Sequence, residues 1–387
     1  MTLESKPFQV DIPQDRLDDL AARLANTRWP DQPAGLGWRL GAPVGYVREL
    51  AEYWRLDFDW RARERWLNGV PQWTTTIDGA NVHFAHLRSP EPDAVPLLLT
   101  HGWPGSYVEF LDLARPLADP RAYGADPADA FHVVVPSIPG FGFSGPPEDP
   151  DWGPERVADA FAALMSGLGY ARFCAHGGDW GAIITRHLGV RHPERLHGAH
   201  LTTMLGAVAK TPTDLEGLGG DDLACAERSL AKFTRFTRDG MGHVFIQGTR
   251  AQTLSYGLTD SPAGQLAWIA EKFRGFSSVP EGSADAVDRD TLLTNVAIYW
   301  FTATANSSAR IYQSALAAVG AQPSSTVPTA VTHFADDTTL PVRALAERTD
   351  RIVRWTEFDR GGHFPGLEQP DLLLGDLRAF FREVARR

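Results

Sequence analysis

Cysteine is nearly absent: Cys174 and Cys225 are the only two in 387 residues. Two thiols cannot build a disulfide framework or a thiolate metal site, and a reducing cytoplasm is the compartment that fits. No apolar run approaches the roughly 20 residues that span a bilayer. The N-terminus, "MTLESKPFQVDIPQDRLDDLAARL", is charged and lacks the apolar stretch of a signal peptide, so no membrane anchor is expected. Basic charge is also short. Lys and Arg number 37 against 48 Asp and Glu, a net charge of −11, which argues against a nucleic-acid partner. Internal repeats, low-complexity tracts and long like-charge runs are missing. So are H-E-x-x-H and any Cys/His cluster, so no metal is expected. What remains is the composition of a globular protein, 43% hydrophobic and 22% charged, long enough for two or three packed units.

The pattern along the chain divides it into four stretches. Residues 1–92 read as an N-terminal extension of helices and a hairpin wrapping a core. "DIPQDRLDDLAARLANTRW" and "PVGYVRELAEYWRLDFDWRARERWL" carry apolar residues at helical spacing, and "WTTTIDGANVHFAHL" alternates around Asp78-Gly79. Residues 93–210 alternate short continuous apolar runs ("AVPLLLTHG", "FHVVVPSIPGFGFSG", "ARFCAHGGDWG", "RLHGAHLTTML") with a helical run, the signature of a buried, mostly parallel sheet. Residues 211–322 are dominated by helical segments and read as an inserted lid. Residues 323–387 resume the strand–helix rhythm and close on a helix.

The stretch "CAHGGDWGAIITRHLG" carries the chemistry. Gly-Gly-Asp179-Trp-Gly follows a strand and precedes a helix, the context of a nucleophile elbow. Such a turn pushes its central side chain over the carboxyl ends of the strands and aims the next N–H, that of Trp180, at an oxyanion. Asp179 stands where an esterase needs serine. A carboxylate is a poor nucleophile toward carbonyls, because the anhydride formed reverts. At a saturated carbon bearing a leaving group it forms an ester that an activated water can cleave. Those substrates are epoxides and alkyl halides. An Asp before a helix is more often a simple cap; the glycine pattern and the partners that follow favour function.

The partners come in the order nucleophile, acid, histidine. His363, in "DRGGHFPGLEQP", follows a strand-like run and is the expected base. Asp336 and Asp337 both follow the strand "TAVTHF", and either can orient His363. "HGWPGS" follows the first core strand and offers the N–H of Trp103 as the other half of an oxyanion hole, with His101 a structural hydrogen-bonder. The glycines of "PGFGFSG" lack the GK[ST] ending and the helix context of a phosphate loop, so no nucleotide cofactor is expected and the loop reads as pocket lining.

Several stretches together resemble the microsomal-type epoxide hydrolases: "PFQVDIPQDRLDDLAARLANTRWPD", "HGWPGS", "GGDWG", "IQGTRAQTLSYGLTDSPAGQLAWIAEKF", "LLTNVAIYWFTATANSSARIY" and "RGGHFPGLEQP". The resemblance runs over nearly the whole chain. It implies an α/β-hydrolase fold with an inserted helical lid and an N-terminal extension, and trans-addition of water to an epoxide without a cofactor. Bacterial relatives in natural-product pathways, such as those making enediynes, are similar; detoxification is the other expected setting. Carried over residue by residue, Asp179 matches the nucleophile, His363 the base, and Tyr312 one of two tyrosines that donate to the epoxide oxygen. Asp337 matches the charge-relay acid, commonly Glu in the family; a one-residue gap keeps Asp336 open. His243, in "GHVFIQ", occupies the position of the other tyrosine. It is expected to assist Tyr312 and, with an ordinary pKa of about 6.5, to titrate near neutrality. Tyr256, in "LSYGL", is a further candidate donor.

The expected substrate is a small apolar or aromatic epoxide, from the Phe and Trp in "PGFGF", "HVFIQ" and "IYW". A homodimer is the base-rate expectation for assembly. A haloalkane dehalogenase would use the same Asp and His, with tryptophan N–H groups holding halide. A non-catalytic binding module on the same fold would show a broken triad.

Overall fold

The continuous apolar runs leave no polar face to show to water, so they must be covered on both sides. In the computed structural model, which describes residues 3–279, 283, 285–317 and 323–385, they form the middle of one nine-stranded sheet. The expected end of the helical stretch at 322 lies outside the described residues. β1 (Lys6–Phe8), β2 (Gln72–Ile77) and β3 (Ala80–Leu87) are antiparallel at one edge. β4 (Val95–Thr100), β5 (Phe131–Pro136), β6 (Phe173–Gly177), β7 (Leu196–Leu201), β8 (Ser325–Phe334) and β9 (Asp350–Phe358) run parallel. The spatial order is β1-β2-β3-β5-β4-β6-β7-β8-β9. The hairpin turns on Asp78 and Gly79, with φ of 48° and 78°, as a two-residue turn requires. Because β3 pairs with β5, the hairpin extends the central sheet rather than standing apart from it.

In the extension, α1 (Gln14–Ala25), α2 (Val44–Leu56) and α3 (Trp60–Leu67) precede the hairpin. The second helical run is broken in two because the Asp59 carboxylate accepts the Ala62 N–H and starts a new helix. In the core, α4 (Leu111–Ala118) packs on β5, α5 (Pro154–Gly167) packs on α6 (Asp179–Arg191), and α6 lies along β6, β7 and β8. Between β7 and β8 come α7 (Gly220–Asp239), α8 (Gly242–Asp260), α9 (Pro262–Phe276), α10 (Arg289–Thr302), α11 (Ala305–Ala309) and α12 (Ile311–Ala317). The run from Arg289 is one stretch by pattern but three helices in space: Ala303 takes a left-handed conformation (φ 53°) that ends α10. The short α13 (Arg343–Ala346) and α14 (Pro365–Glu368) follow, and α15 (Pro370–Ala385) covers β7.

The extension braces the inserted helices. Tyr53 on α2 donates to Asp290 at 2.8 Å, Arg63 on α3 donates to Thr294 at 2.7 Å, and Arg289 pairs with Glu49 at 2.7 Å. Thus α10 is held from outside while its inner face meets the loops at the carboxyl ends of the strands. Among the described residues, no helix is long and apolar enough to cross a membrane.

Candidate active site

β6 ends at Gly177 and α6 begins at Asp179, so the backbone reverses within two residues. Asp179 absorbs the reversal with φ of 49°, an uncommon conformation for a side-chain-bearing residue and one that the surrounding structure must hold. Two glycines permit it. A Cβ on Gly181 would lie 1.9 Å from the Thr100 carbonyl, and one on Gly102 would lie 2.2 Å from Asp179 Oδ1. Asp179 therefore sits against bare backbone from the "HGWPGS" loop. Trp103 N–H donates to Asp179 Oδ1 at 2.8 Å. Trp180 N–H belongs to the first turn of α6, whose amides have no acceptor within the helix.

His363 Nε2 approaches the other oxygen, Asp179 Oδ2, at 3.4 Å, and its Nδ1 bonds Asp337 Oδ1 at 2.8 Å. Burial alone would favour neutral imidazole, but the Asp337 and Asp179 carboxylates outweigh it and hold the His363 pKa well above its ordinary value. Asp337 is 4% exposed; burial acts to raise its pKa, but the facing His363 prevails and holds it below the usual carboxylate range. Asp336, left open by sequence, is exposed and has no bond to His363. The two acids alternate along the turn after β8, so only one faces inward.

Tyr312 opens the first turn of α12 and is 5% exposed, with its ring edge-on to Trp180 at 4.7 Å. Burial and then the Asp179 charge push its phenol pKa well up.

His243 departs from expectation. It lies in the site, stacked on Trp103 at 5.1 Å and edge-on to Tyr312 at 5.8 Å. Its Nδ1 meets the Gly240 carbonyl at 3.0 Å, and a carbonyl accepts only, so Nδ1 carries the proton. Nε2 then bears a lone pair. Burial, then the Lys272 charge, lowers the His243 pKa to about 3, so the imidazole does not titrate near neutrality. Nε2 of the neutral ring is then an acceptor, not a donor. Tyr256 is 73% exposed on α8 and offers the site nothing.

Asp179, His363, Tyr312 and His243 line a cavity of about 290 Å³. Its apolar walls are Phe233 and Phe236 of α7, Met241, Val244 and Phe276. The "PGFGF" loop, expected as lining, packs elsewhere: Phe141 is buried in the core, and Ser307 Oγ donates to the Gly140 carbonyl at 2.6 Å. Phe245 and Ile246 of "HVFIQ" face outward, 53% and 41% exposed. His101 is structural: Nδ1 meets the Gly102 carbonyl and Nε2 accepts from Ile138 N–H, which suits the neutral ring.

Sequence reasoning missed three groups. Glu368 accepts from the N–H groups of Gly362, Phe364 and Ser278, between 2.7 and 2.9 Å, and so pins the His363 loop to the end of α9. Asn295 and Tyr299 of α10 bond the "HGWPGS" loop. Their i, i+4 spacing was a visible signal that both share one helix face.

Two family models together match residues 5–370. The family described as "Epoxide hydrolase N terminus" matches residues 5–110, and that described as "alpha/beta hydrolase fold" matches 95–370. The chain is 43% identical, over 98% of its length and 85% of the other, to a Stigmatella aurantiaca protein with a provisional epoxide hydrolase name. It is 31% identical to Epoxide hydrolase 1 of Sus scrofa, over 97% of this chain and 88% of that one. The solved structure of Aspergillus niger epoxide hydrolase superposes with a TM-score of 0.88 at 32% identity, covering 99% of this chain and 97% of that one.

Proposed function

The chain belongs to the epoxide hydrolases of the α/β-hydrolase fold, and on that premise we propose that it adds water to its substrate through a covalent ester on Asp179. Hydrolysis of an epoxide is the reaction; the residue roles are our reading. The observation that carries it is the division of labour between the Asp179 oxygens. Oδ1 is held by Trp103 N–H, while Oδ2 faces His363 and the cavity.

In this reading Oδ2 attacks an epoxide carbon and the C–O bond breaks. The departing oxygen takes the Tyr312 proton. Tyr312, whose pKa is raised by burial, recovers a proton from the His363 imidazolium. Once Asp179 is an uncharged ester, His363 has lost one of the two carboxylates that kept it protonated, so it can serve as a base. It takes a proton from water, and hydroxide attacks the ester carbon. The charge formed on Oδ1 is met by Trp103 N–H and Trp180 N–H. Collapse expels the diol alkoxide, which takes the proton of the newly formed Asp179 carboxylic acid. The Asp179 carboxylate and His363 imidazolium are restored, and the balance is epoxide plus water giving diol.

The cavity volume and phenylalanine walls support a small apolar or aromatic epoxide as substrate. Two free cysteines fit a reducing cytoplasm. A dehalogenase would aim indole N–H groups at a halide, whereas here the Tyr312 phenol stands edge-on to Trp180 in the cavity wall.

The test is a single turnover with enzyme in excess over an aryl-substituted terminal epoxide in ¹⁸O-water. The first diol should carry no label, since its new oxygen comes from Asp179. Full label in the first diol would mean direct attack by water and would end the role given to Asp179.

A further inference from the structure

The nucleophile's oxyanion donor sits on a loop, and loops are ordinarily the least rigid part of a fold. Here the loop is clamped from above. Asn295 Nδ2 donates to the Pro104 carbonyl at 2.7 Å, and Tyr299 Oη donates to the Gly105 carbonyl at 2.8 Å. Both side chains are nearly fully buried, at 3% and 1% exposure, and they sit one turn apart on the same face of α10. The carbonyls they hold belong to the two residues directly after Trp103. Fixing those peptide planes fixes the direction of the Trp103 N–H that meets Asp179 Oδ1. We infer that Asn295 and Tyr299 are positioning residues that set the oxyanion hole from the inserted helices, and that they serve the second half of the reaction rather than the first.

The asymmetry follows from where charge develops, and it rests on the two-step reading given above. Before reaction, Oδ1 shares the carboxylate charge and the Trp103 N–H stabilises it. As Oδ2 bonds to carbon, Oδ1 becomes an ester carbonyl and loses that charge, so the hydrogen bond weakens along the first step. A well-aimed donor therefore does nothing to speed alkylation. When hydroxide adds to the ester, Oδ1 gains a full charge and the same donor strengthens its bond. Only the second step draws on an aligned donor. Loosening the clamp should slow ester hydrolysis and leave alkylation unchanged or slightly faster.

The experiment measures both rate constants separately, by rapid mixing of excess enzyme with an aryl epoxide and quantifying ester and diol over time. The variants are Tyr299→Phe and Asn295→Ala, with melting temperatures for each. Tyr53→Phe is the control: it removes a 2.8 Å bond to Asp290 at the start of the same helix α10 that does not involve the loop. In Tyr299→Phe and Asn295→Ala the hydrolysis constant should fall about tenfold, part of the loss seen when an oxyanion donor is removed outright, with alkylation within about twofold. The ester then accumulates. Tyr53→Phe should leave the ratio of the two constants as in the unaltered protein, whatever it does to melting. Parallel loss of both constants in Tyr299→Phe, or an equal shift in Tyr53→Phe, would overturn the inference. If the unaltered protein forms no ester at all, the two-step reading fails and takes this one with it. If it forms ester and Tyr299→Phe hydrolyses it normally, only the clamp is refuted.

Discussion

Removing one hydroxyl, in Tyr312→Phe, tests the reading most sharply, because His243, at the other tyrosine's position, has no proton on Nε2 to give. The family pattern divides protonation of the departing epoxide oxygen between two tyrosines, so losing one leaves the other. Here the second position is His243, whose Nδ1–H is spent on the Gly240 carbonyl and whose pKa of about 3 keeps it neutral. Its other nitrogen has no proton to give a developing alkoxide. Tyr312 acts in a cavity walled by phenylalanine, where a hydrogen bond to forming charge is worth far more than in water. Removing such a donor costs roughly 3–4 kcal/mol, or about 10²–10³ in rate. The assay is single-turnover quenching of tryptophan fluorescence, which Trp103 and Trp180 beside the reacting carboxylate are placed to report. Alkylation should fall by about two to three orders of magnitude, while hydrolysis of any ester formed changes only a few-fold. A loss of alkylation under about tenfold would refute the argument: some other group would then be donating, and the proton assignment on His243 would be the first thing to abandon.

Two further predictions follow from the charges. Asp337→Asn removes the carboxylate that lifts the His363 pKa, so ester hydrolysis should drop by about 10²–10⁴ and ester should build up in a quenched-flow experiment; Asp336→Asn, on the exposed side of the turn, should behave as the unaltered protein. Acid should unfold the chain steeply. Burial lowers the pKa values of His83 and His243 to about 3 and of His86 and His101 to about 4, so on acidification from pH 7.5 to 5.5 the unfolded chain takes up protons that the native one refuses. Each such histidine costs about 1.4 kcal/mol over that span. His363 works in the opposite sense: its raised pKa contributes stability that is complete below about 6.5 and lost as pH rises through the folded value, and it offsets one of the four. His176, whose pKa burial also lowers, adds to the loss, whereas Glu109, raised by burial to about 8, binds its proton in the folded chain over this span and returns roughly 2.5 kcal/mol, so the balance is a loss of a few kcal/mol out of a typical 5–15 kcal/mol. Chemical denaturation at the two pH values measures it, and equal midpoints would contradict it.

The sheet was legible because burial on both faces forces continuous apolar runs. The hairpin was legible because Asp78-Gly79 must adopt positive φ. The elbow and its order of partners were legible because close backbone approach demands glycine at fixed offsets from Asp179. The lid's interior was not. Helical periodicity tells which residues share a face, but not where a helix breaks: Ala303 ends α10 in a left-handed turn that an alanine does not advertise. Nor does periodicity tell which aromatic residues face the cavity. Phe236 and Phe276 line it, while Phe141 and Phe245 do not, although residue type is the same at all four.

His243 marks the deeper limit. Its place in the site could be read from the motif, and its ability to donate was inferred from residue type alone. Donation by a neutral imidazole is a property of one nitrogen, and which nitrogen is decided by whatever the other one meets. That partner is the Gly240 carbonyl, three residues back, left without its own helical acceptor role by the turn between α7 and α8. A backbone carbonyl has no sequence signature, so the tautomer was invisible until the chain was folded. The consequence reaches the chemistry: on the proposed roles, a site that would share protonation between two phenols relies on Tyr312. Replacing His243 with tyrosine should therefore add a donor and speed alkylation, with no change in the pH profile near neutrality, since His243 does not titrate there.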